Sequence, residues 1–233
     1  MSEPVQYSLE NKVAIVKMDD GKANALSRPM IDALTAALAR AESEASAMVL
    51  VGRENRFCAG FDLRVMMSGP DAAKDLLKAG AALLMKLYGS QIPLVIACTG
   101  HALAGGALVV LTGDYRIGTT GAFQIGLNEV SLGMPVPVLA MELARDRLSK
   151  RALVHATLLA KIYDPESAIG AGYLDEVASA DAVLERARAE ATRLGALSKA
   201  AFQATKKRLR GATIQHVLTS LETDMADMMV PTR

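Results

Sequence analysis

The chain has 233 residues, 51% of them hydrophobic and 22% charged, and its 26 Lys and Arg against 25 Asp and Glu leave a formal net charge of +1. That length allows one large domain or two small ones with a sizeable core, and the mixture is that of an ordinary soluble globular protein. A neutral balance excludes the basic groove of a nucleic-acid partner, and apolar stretches such as 103–111 are too short for a membrane span.

Residues 1–10 show no basic segment followed by an apolar run, so no signal peptide is expected. Residues 5–9 and 13–18 are short alternating runs split by Glu10-Asn11-Lys12, which predicts a hairpin. Asp19-Asp20-Gly21-Lys22 is turn material. Ser27 then reads as the N-cap of a helix with Pro29 in its first turn and Met30, Leu34, Ala37, Leu38 and Ala41 at helical spacing. A short buried strand over 48–52 ends at Gly52, and a helix over about 71–88 turns Leu76, Leu83, Leu84 and Leu87 towards a core. An apolar strand at 94–97 sits between Pro93 and Gly100, Ala104-Gly105-Gly106 opens an apolar helix to 111, and 115–117 is again a strand. The recurrence of strand, glycine turn and helix predicts a right-handed parallel β/α arrangement.

From about 137 the pattern is mostly helical, with one strand-like segment at 174–177 after a helix opened by Pro165 and closed at Gly172. Residues 198–210 and 213–229 predict two terminal helices, the second rich in methionine (Met225, Met228, Met229). The expected organisation is an α/β core over 1–177 and a helical region over 178–233.

Three segments carry candidate chemistry. Phe57-Cys58-Ala59-Gly60-Phe61-Asp62-Leu63 and the stretch from Gly100 to Leu108 are glycine turns where a strand gives way to a helix. Small residues let the backbone approach a ligand, and a helix N-terminus presents unpaired N–H groups with partial positive charge, so two converging turns can form an oxyanion hole. The third segment places Glu129 among Leu127, Val130 and Leu132, where lost hydration would raise its pKa towards a range useful for proton transfer. Each segment taken singly also reads as a packing corner or, for Glu129, as a surface residue at a strand end. Cys58 and Cys98 read as reduced thiols of a cytoplasmic protein, with Cys58 a packed residue rather than a nucleophile. His101 reads as structural, and with His155 and His216 scattered along the chain no zinc set is apparent.

In this order and spacing, the three segments resemble the crotonase (enoyl-CoA hydratase/isomerase) superfamily. Ala59-Gly60-Phe61-Asp62-Leu63 looks like its A-G-x-D-[LI] motif, and Gly100 to Gly106 followed by Asp114 like its second motif. Asn24-Ala25-Leu26 resembles the N-A-L loop near the adenosine of coenzyme A, and 168–177 the A-x-x-x-G-L-[VI]-[DT]-E-V segment, here with Tyr173 before Leu174.

The resemblance implies a ββα spiral core with a C-terminal helical trimerisation region, hence a homotrimer or a hexamer built as a dimer of trimers. It implies an acyl-CoA thioester substrate, with no separate cofactor and no metal. Its oxyanion donors fall on the N–H groups of Phe61 and Gly105, its carboxylate on Glu129, and its coenzyme A contacts near Ala25, Ala59, Asp62 and Arg64. Asp62 also reads as a helix N-cap, and Arg64 as an ordinary solvated side chain or a phosphate partner.

The departure is at Leu108, where the family's hydratases carry a second glutamate. A single remaining carboxylate resembles the Δ3,Δ2-enoyl-CoA isomerases of fatty-acid β-oxidation. The rival expectations are a hydratase or other crotonase reaction, and a non-catalytic acyl-CoA-binding protein. The acyl pocket is expected along 66–87.

Overall fold

A computed structural model of the chain describes residues 3–228; Met1 at the start and Met229 at the end of the expected terminal helix lie outside them. Strands β1 (Val5–Glu10) and β2 (Val13–Met18) form the expected antiparallel hairpin, closed by Asn11 and Lys12, both at positive φ. Helix α1 (Arg28–Glu44) begins as the sequence predicts: the Met30 N–H donates to Ser27 Oγ at 3.4 Å, and Pro29 stands in the first turn.

The chain then repeats a unit of two strands and a helical segment. The first unit is β3 (Ala47–Val51), β4 (Asn55–Cys58), the short α2 (Leu63–Met66) and α3 (Pro70–Tyr88). The second is β5 (Leu94–Cys98), β6 (Gly100–Leu103) and α4 (Gly105–Thr112). The third is β7 (Tyr115–Thr119), β8 (Ile125–Gly126), a 3-10 turn (Val130–Leu132) and α5 (Val138–Arg147). After these come α6 (Lys150–Thr157), α7 (Pro165–Ala171), β9 (Glu176–Ala178), α8 (Val183–Gly195) and α9 (Lys199–Met228).

The first strand of each unit joins a six-stranded sheet ordered β1-β2-β3-β5-β7-β9, and the second joins a three-stranded sheet ordered β4-β6-β8. Among the described residues, every pairing between these strands beyond the first hairpin is parallel. Both faces of the larger sheet are covered, which is why β3 and β5 are buried at every position. One face, with Met48, Leu50, Leu94 and Ile96, packs on α1, α3 and α4; the other, with Val49, Val95, Ala97 and Ile117, takes Val183, Ala187 and Ala191 of α8.

Two expectations need correction. The two helices expected at 198–210 and 213–229 are one, α9, which runs through Gly211 without a break. A mid-helix glycine costs only about 1 kcal/mol relative to alanine, and anchors on both sides outweigh it. Arg210 Nη1 donates to the Tyr88 carbonyl at 2.8 Å, and Val217 is buried. The strand expected at 174–177 starts two residues later, because Asp175 is taken by Arg116, whose backbone N–H, Nε and Nη2 all donate to its carboxylate.

Candidate active site

Each strand of the small sheet is followed, at its carboxyl end, by one of the three segments marked in the sequence. β4 runs into Ala59-Gly60-Phe61-Asp62, β6 into Ala104-Gly105-Gly106, and β8 into Leu127-Asn128-Glu129. Parallel strands bring those ends to one edge, where open α/β sheets place ligands. The edge is stitched together by backbone bonds, the Ala102 N–H to Gln124 O at 2.9 Å and the Ala104 N–H to Gly126 O at 3.0 Å. The two glycine turns touch: a Cβ on Gly60 would lie 3.2 Å from the Gly105 nitrogen, and one on Gly105 would lie 3.2 Å from Gly60 Cα.

Two N–H groups at this contact are left over. Leu26 donates to Gly60 O at 2.8 Å and accepts from the Asp62 N–H at 3.4 Å, a parallel bridge that turns the intervening Phe61 N–H to the other side. Gly105 is the first residue of α4, so no carbonyl one turn earlier is there to receive its N–H. All eight residues of α4 are buried, so the positive end of the helix acts with little solvent screening. Ala104, just before it, holds φ 48° and ψ −121°, a conformation costing a side-chain-bearing residue roughly 1–3 kcal/mol. The Phe61 ring packs on α3, where a Cβ at Gly80 would be 2.2 Å from its Cε1, so a side chain there would displace the ring.

Glu129 is 7% exposed, and its Oε2 is buried without a hydrogen-bond partner among the described residues. Burial pushes its pKa above the ordinary carboxylate value, with its own backbone N–H pulling the other way. The surface reading of this residue is therefore wrong. Leu127 is fully buried beside it, and on α4 Leu108 is 3% exposed.

The other sequence candidates are more scattered. Ala25 and Ala59 lie on neighbouring strips of backbone, tied by the Ala59 N–H to Ala23 O at 3.0 Å. Asp62 caps α2 by accepting the Arg64 N–H at 2.9 Å, and Arg64 itself is exposed on that helix. Both thiols are buried and pushed up to about 12, which removes Cys58 as a nucleophile near neutral pH. His101 is structural: its Nδ1 accepts the Gln124 N–H at 3.2 Å and its ring stands edge-on to Phe123. Among the described residues there is no group of three side chains arranged to hold a metal ion, and no helix long and apolar enough to cross a membrane.

One residue does more for the site than its motif suggests. Asn24 is fully buried at φ 52°, and its Nδ2 donates to Met18 O and Phe57 O, both at 3.1 Å, and to Arg56 O at 3.3 Å. Its Oδ1 accepts the Asp20 N–H at 3.0 Å. This side chain clasps the end of β2 to the end of β4 and so fixes the strip that carries Leu26 and orients Phe61. The only sequence signal for it is an asparagine in a turn followed by two small or apolar residues.

Residues 8–231 match the enoyl-CoA hydratase/isomerase family. The mitochondrial enoyl-CoA delta isomerase 1 of Rattus norvegicus is 30% identical over 226 residues, covering 95% of this chain and 78% of that protein. A crystal structure of an enoyl-CoA hydratase/isomerase family protein from Pseudomonas syringae superposes with a TM-score of 0.95 at 38% identity, over 98% of this chain and 99% of the other. The apo structure of a mycobacterial enoyl-CoA isomerase superposes with a TM-score of 0.92 at 37% identity, over 97% and 100%. With the interleaved sheets and the convergent glycine turns, these similarities place the chain in the crotonase (enoyl-CoA hydratase/isomerase) family, as an acyl-CoA enzyme of isomerase or hydratase type.

Proposed function

We propose that the protein is a Δ3,Δ2-enoyl-CoA isomerase that moves a double bond with one carboxylate and one oxyanion hole. The observation that supports this reading is that Glu129, after β8, is buried, while the family's second carboxylate position, on the α4 that follows β6, is taken by the buried, apolar Leu108. Glu129 takes a proton from C2 of a 3-enoyl thioester, electron density moves onto the thioester oxygen, and the Phe61 and Gly105 N–H groups hold that oxygen. The same carboxyl then returns the proton at C4 of the dienolate, leaving a 2-enoyl thioester. A raised pKa suits this work, since the group must accept a proton and give it back. Removing one oxyanion donor typically costs about 2.7–4 kcal/mol of transition-state stabilisation.

Hydration needs more than this. Water must be held and deprotonated beside C3 while a proton is delivered to C2, and Glu129 serves one of these roles, not both. Leu108 in turn keeps water away from the dienolate. In this reading coenzyme A lies along Ala25, Ala59 and Asp62 with Arg64 near a phosphate, the acyl chain runs along 66–87, and the enzyme works in β-oxidation as a cytoplasmic homotrimer or hexamer.

The test is a matched panel of 3-enoyl-CoA and 2-enoyl-CoA substrates. Isomerisation should far exceed hydration at each chain length, and Leu108→Glu should raise hydration at the expense of isomerisation and of melting temperature. Comparable wild-type rates for the two reactions would make the protein a hydratase. Absence of any C2 proton exchange in heavy water would make it a binding protein.

A further inference from the structure

Three buried oxygens beside the end of β8 have no hydrogen-bond partner among the described residues: Glu129 Oε2, Asn128 Oδ1 and the Tyr173 hydroxyl. Buried polar atoms are nearly always paired, so three orphans in one corner call for a cause. Tyr173 follows Gly172, the left-handed residue that ends α7, and its side chain is fully buried. Its ring centroid lies 5.7 Å from that of Tyr163, whose backbone exchanges two 2.9 Å hydrogen bonds with Ile125 of β8. The Leu127 N–H faces the phenol oxygen without closing a hydrogen bond, and the Glu129 charge bears on the same hydroxyl.

An apolar residue at this position would have no polar atom to satisfy. The hydroxyl is therefore a cost unless it has a partner. The orphans are complementary: the Leu127 N–H approaches the phenol oxygen as a donor, the phenol keeps a proton to give, and Glu129 Oε2 has a lone pair with nothing to accept. We propose that Tyr173 is a positioning residue for Glu129, its O–H donating across one bridging water to the carboxylate and holding it in the orientation that takes the proton. This rests on Glu129 being the base. No charged side chain among the described residues contributes to the Glu129 shift. The titratable groups behind it are Tyr173 and then Tyr163, which carries the Lys161 ammonium 4.9 Å over its ring.

The experiment compares wild type with Tyr173→Phe, which keeps the ring and deletes the donor, and with Tyr173→Leu should the first fold poorly. Carboxyl-labelled glutamate NMR of the resting protein reads the Glu129 titration without any turnover. Loss of the donor should move that titration up by about one pH unit. The acid limb of the kcat profile should move with it, and kcat should fall about tenfold with KM nearly unchanged. A merely structural tyrosine would leave the titration and the limb in place, and that result overturns the proposal. If Glu129→Gln retains its activity, the base lies elsewhere; the NMR titration still reports whether Tyr173 bonds to Glu129, so the two failures are distinct.

Discussion

At the C-terminal end of α4, Asp114 accepts from the Leu94 N–H and from Lys206 Nζ, both at 2.8 Å, and pairs with Arg210 Nη1 at 3.1 Å. After β8, the more deeply buried Glu129 keeps its Oε2 without a protein hydrogen-bond partner among the described residues. In the first cluster one carboxylate is shared by two cations, which ties α9 to the loop between α4 and β7. The second faces no opposite charge among the described residues, and its pKa rises because the lost hydration outweighs the one bond from its own backbone N–H. Burial by itself therefore separates nothing; a buried charge with its partners removed is what distinguishes a group kept for chemistry from one kept for architecture.

The largest effect expected from this contrast is on rate. Glu129→Gln keeps the volume but cannot accept a proton, and turnover should fall about a thousandfold. Acyl-CoA affinity, measured by calorimetry, should stay nearly intact. Asp114→Ala is the opposite experiment. It strands Lys206 and Arg210 in the interior and should cost about 3 kcal/mol in a denaturant titration. Turnover per folded molecule should be unchanged.

The pH dependence of stability sharpens the same point. Folded Glu129 holds its proton to higher pH than in the unfolded chain. Its favourable contribution is therefore complete below the unfolded pKa and is lost as pH rises through the raised folded value. Melting curves across that window should show wild type losing ground to Glu129→Gln, which has nothing to ionise. The smallest effect concerns α9: with only Lys207 Cγ, at 3.9 Å, near the Gly211 position, Gly211→Ala should raise stability by about 1 kcal/mol.

Much of this fold is legible in the sequence because its signals are local. The Ser27 cap, the hairpin at Asn11 and Lys12, and the spacing of leucines on α3 each state their own structure. The three-stranded sheet is not legible in that way. β8 has two residues and β4 and β6 four each, too short for any alternation to show, and pairing across the chain creates them. Likewise, nothing around Gly211 says that Arg210 will reach Tyr88 and carry the helix onward. Within the site, Glu129 and the two glycine turns stand out by residue type. Asn24 and Tyr173 lie inside segments marked in the sequence, but the clasp to Arg56 and Phe57 and the surroundings of the Tyr173 hydroxyl depend on residues far along the chain that those segments do not reveal.

The interleaving of the two sheets has a consequence for how the molecule comes together in time. Asn55 pairs with Gly100 and Ala102 with Ile125, so each strand of the small sheet must wait for a helix and a strand of the large sheet to be laid down between. Long loops closed late are slow to close, whereas the hairpin of β1 and β2 and the helices need only near neighbours. On dilution from denaturant, helical ellipticity should return before turnover, because the edge that gathers Phe61, Gly105 and Glu129 forms only when strands tens of residues apart have paired.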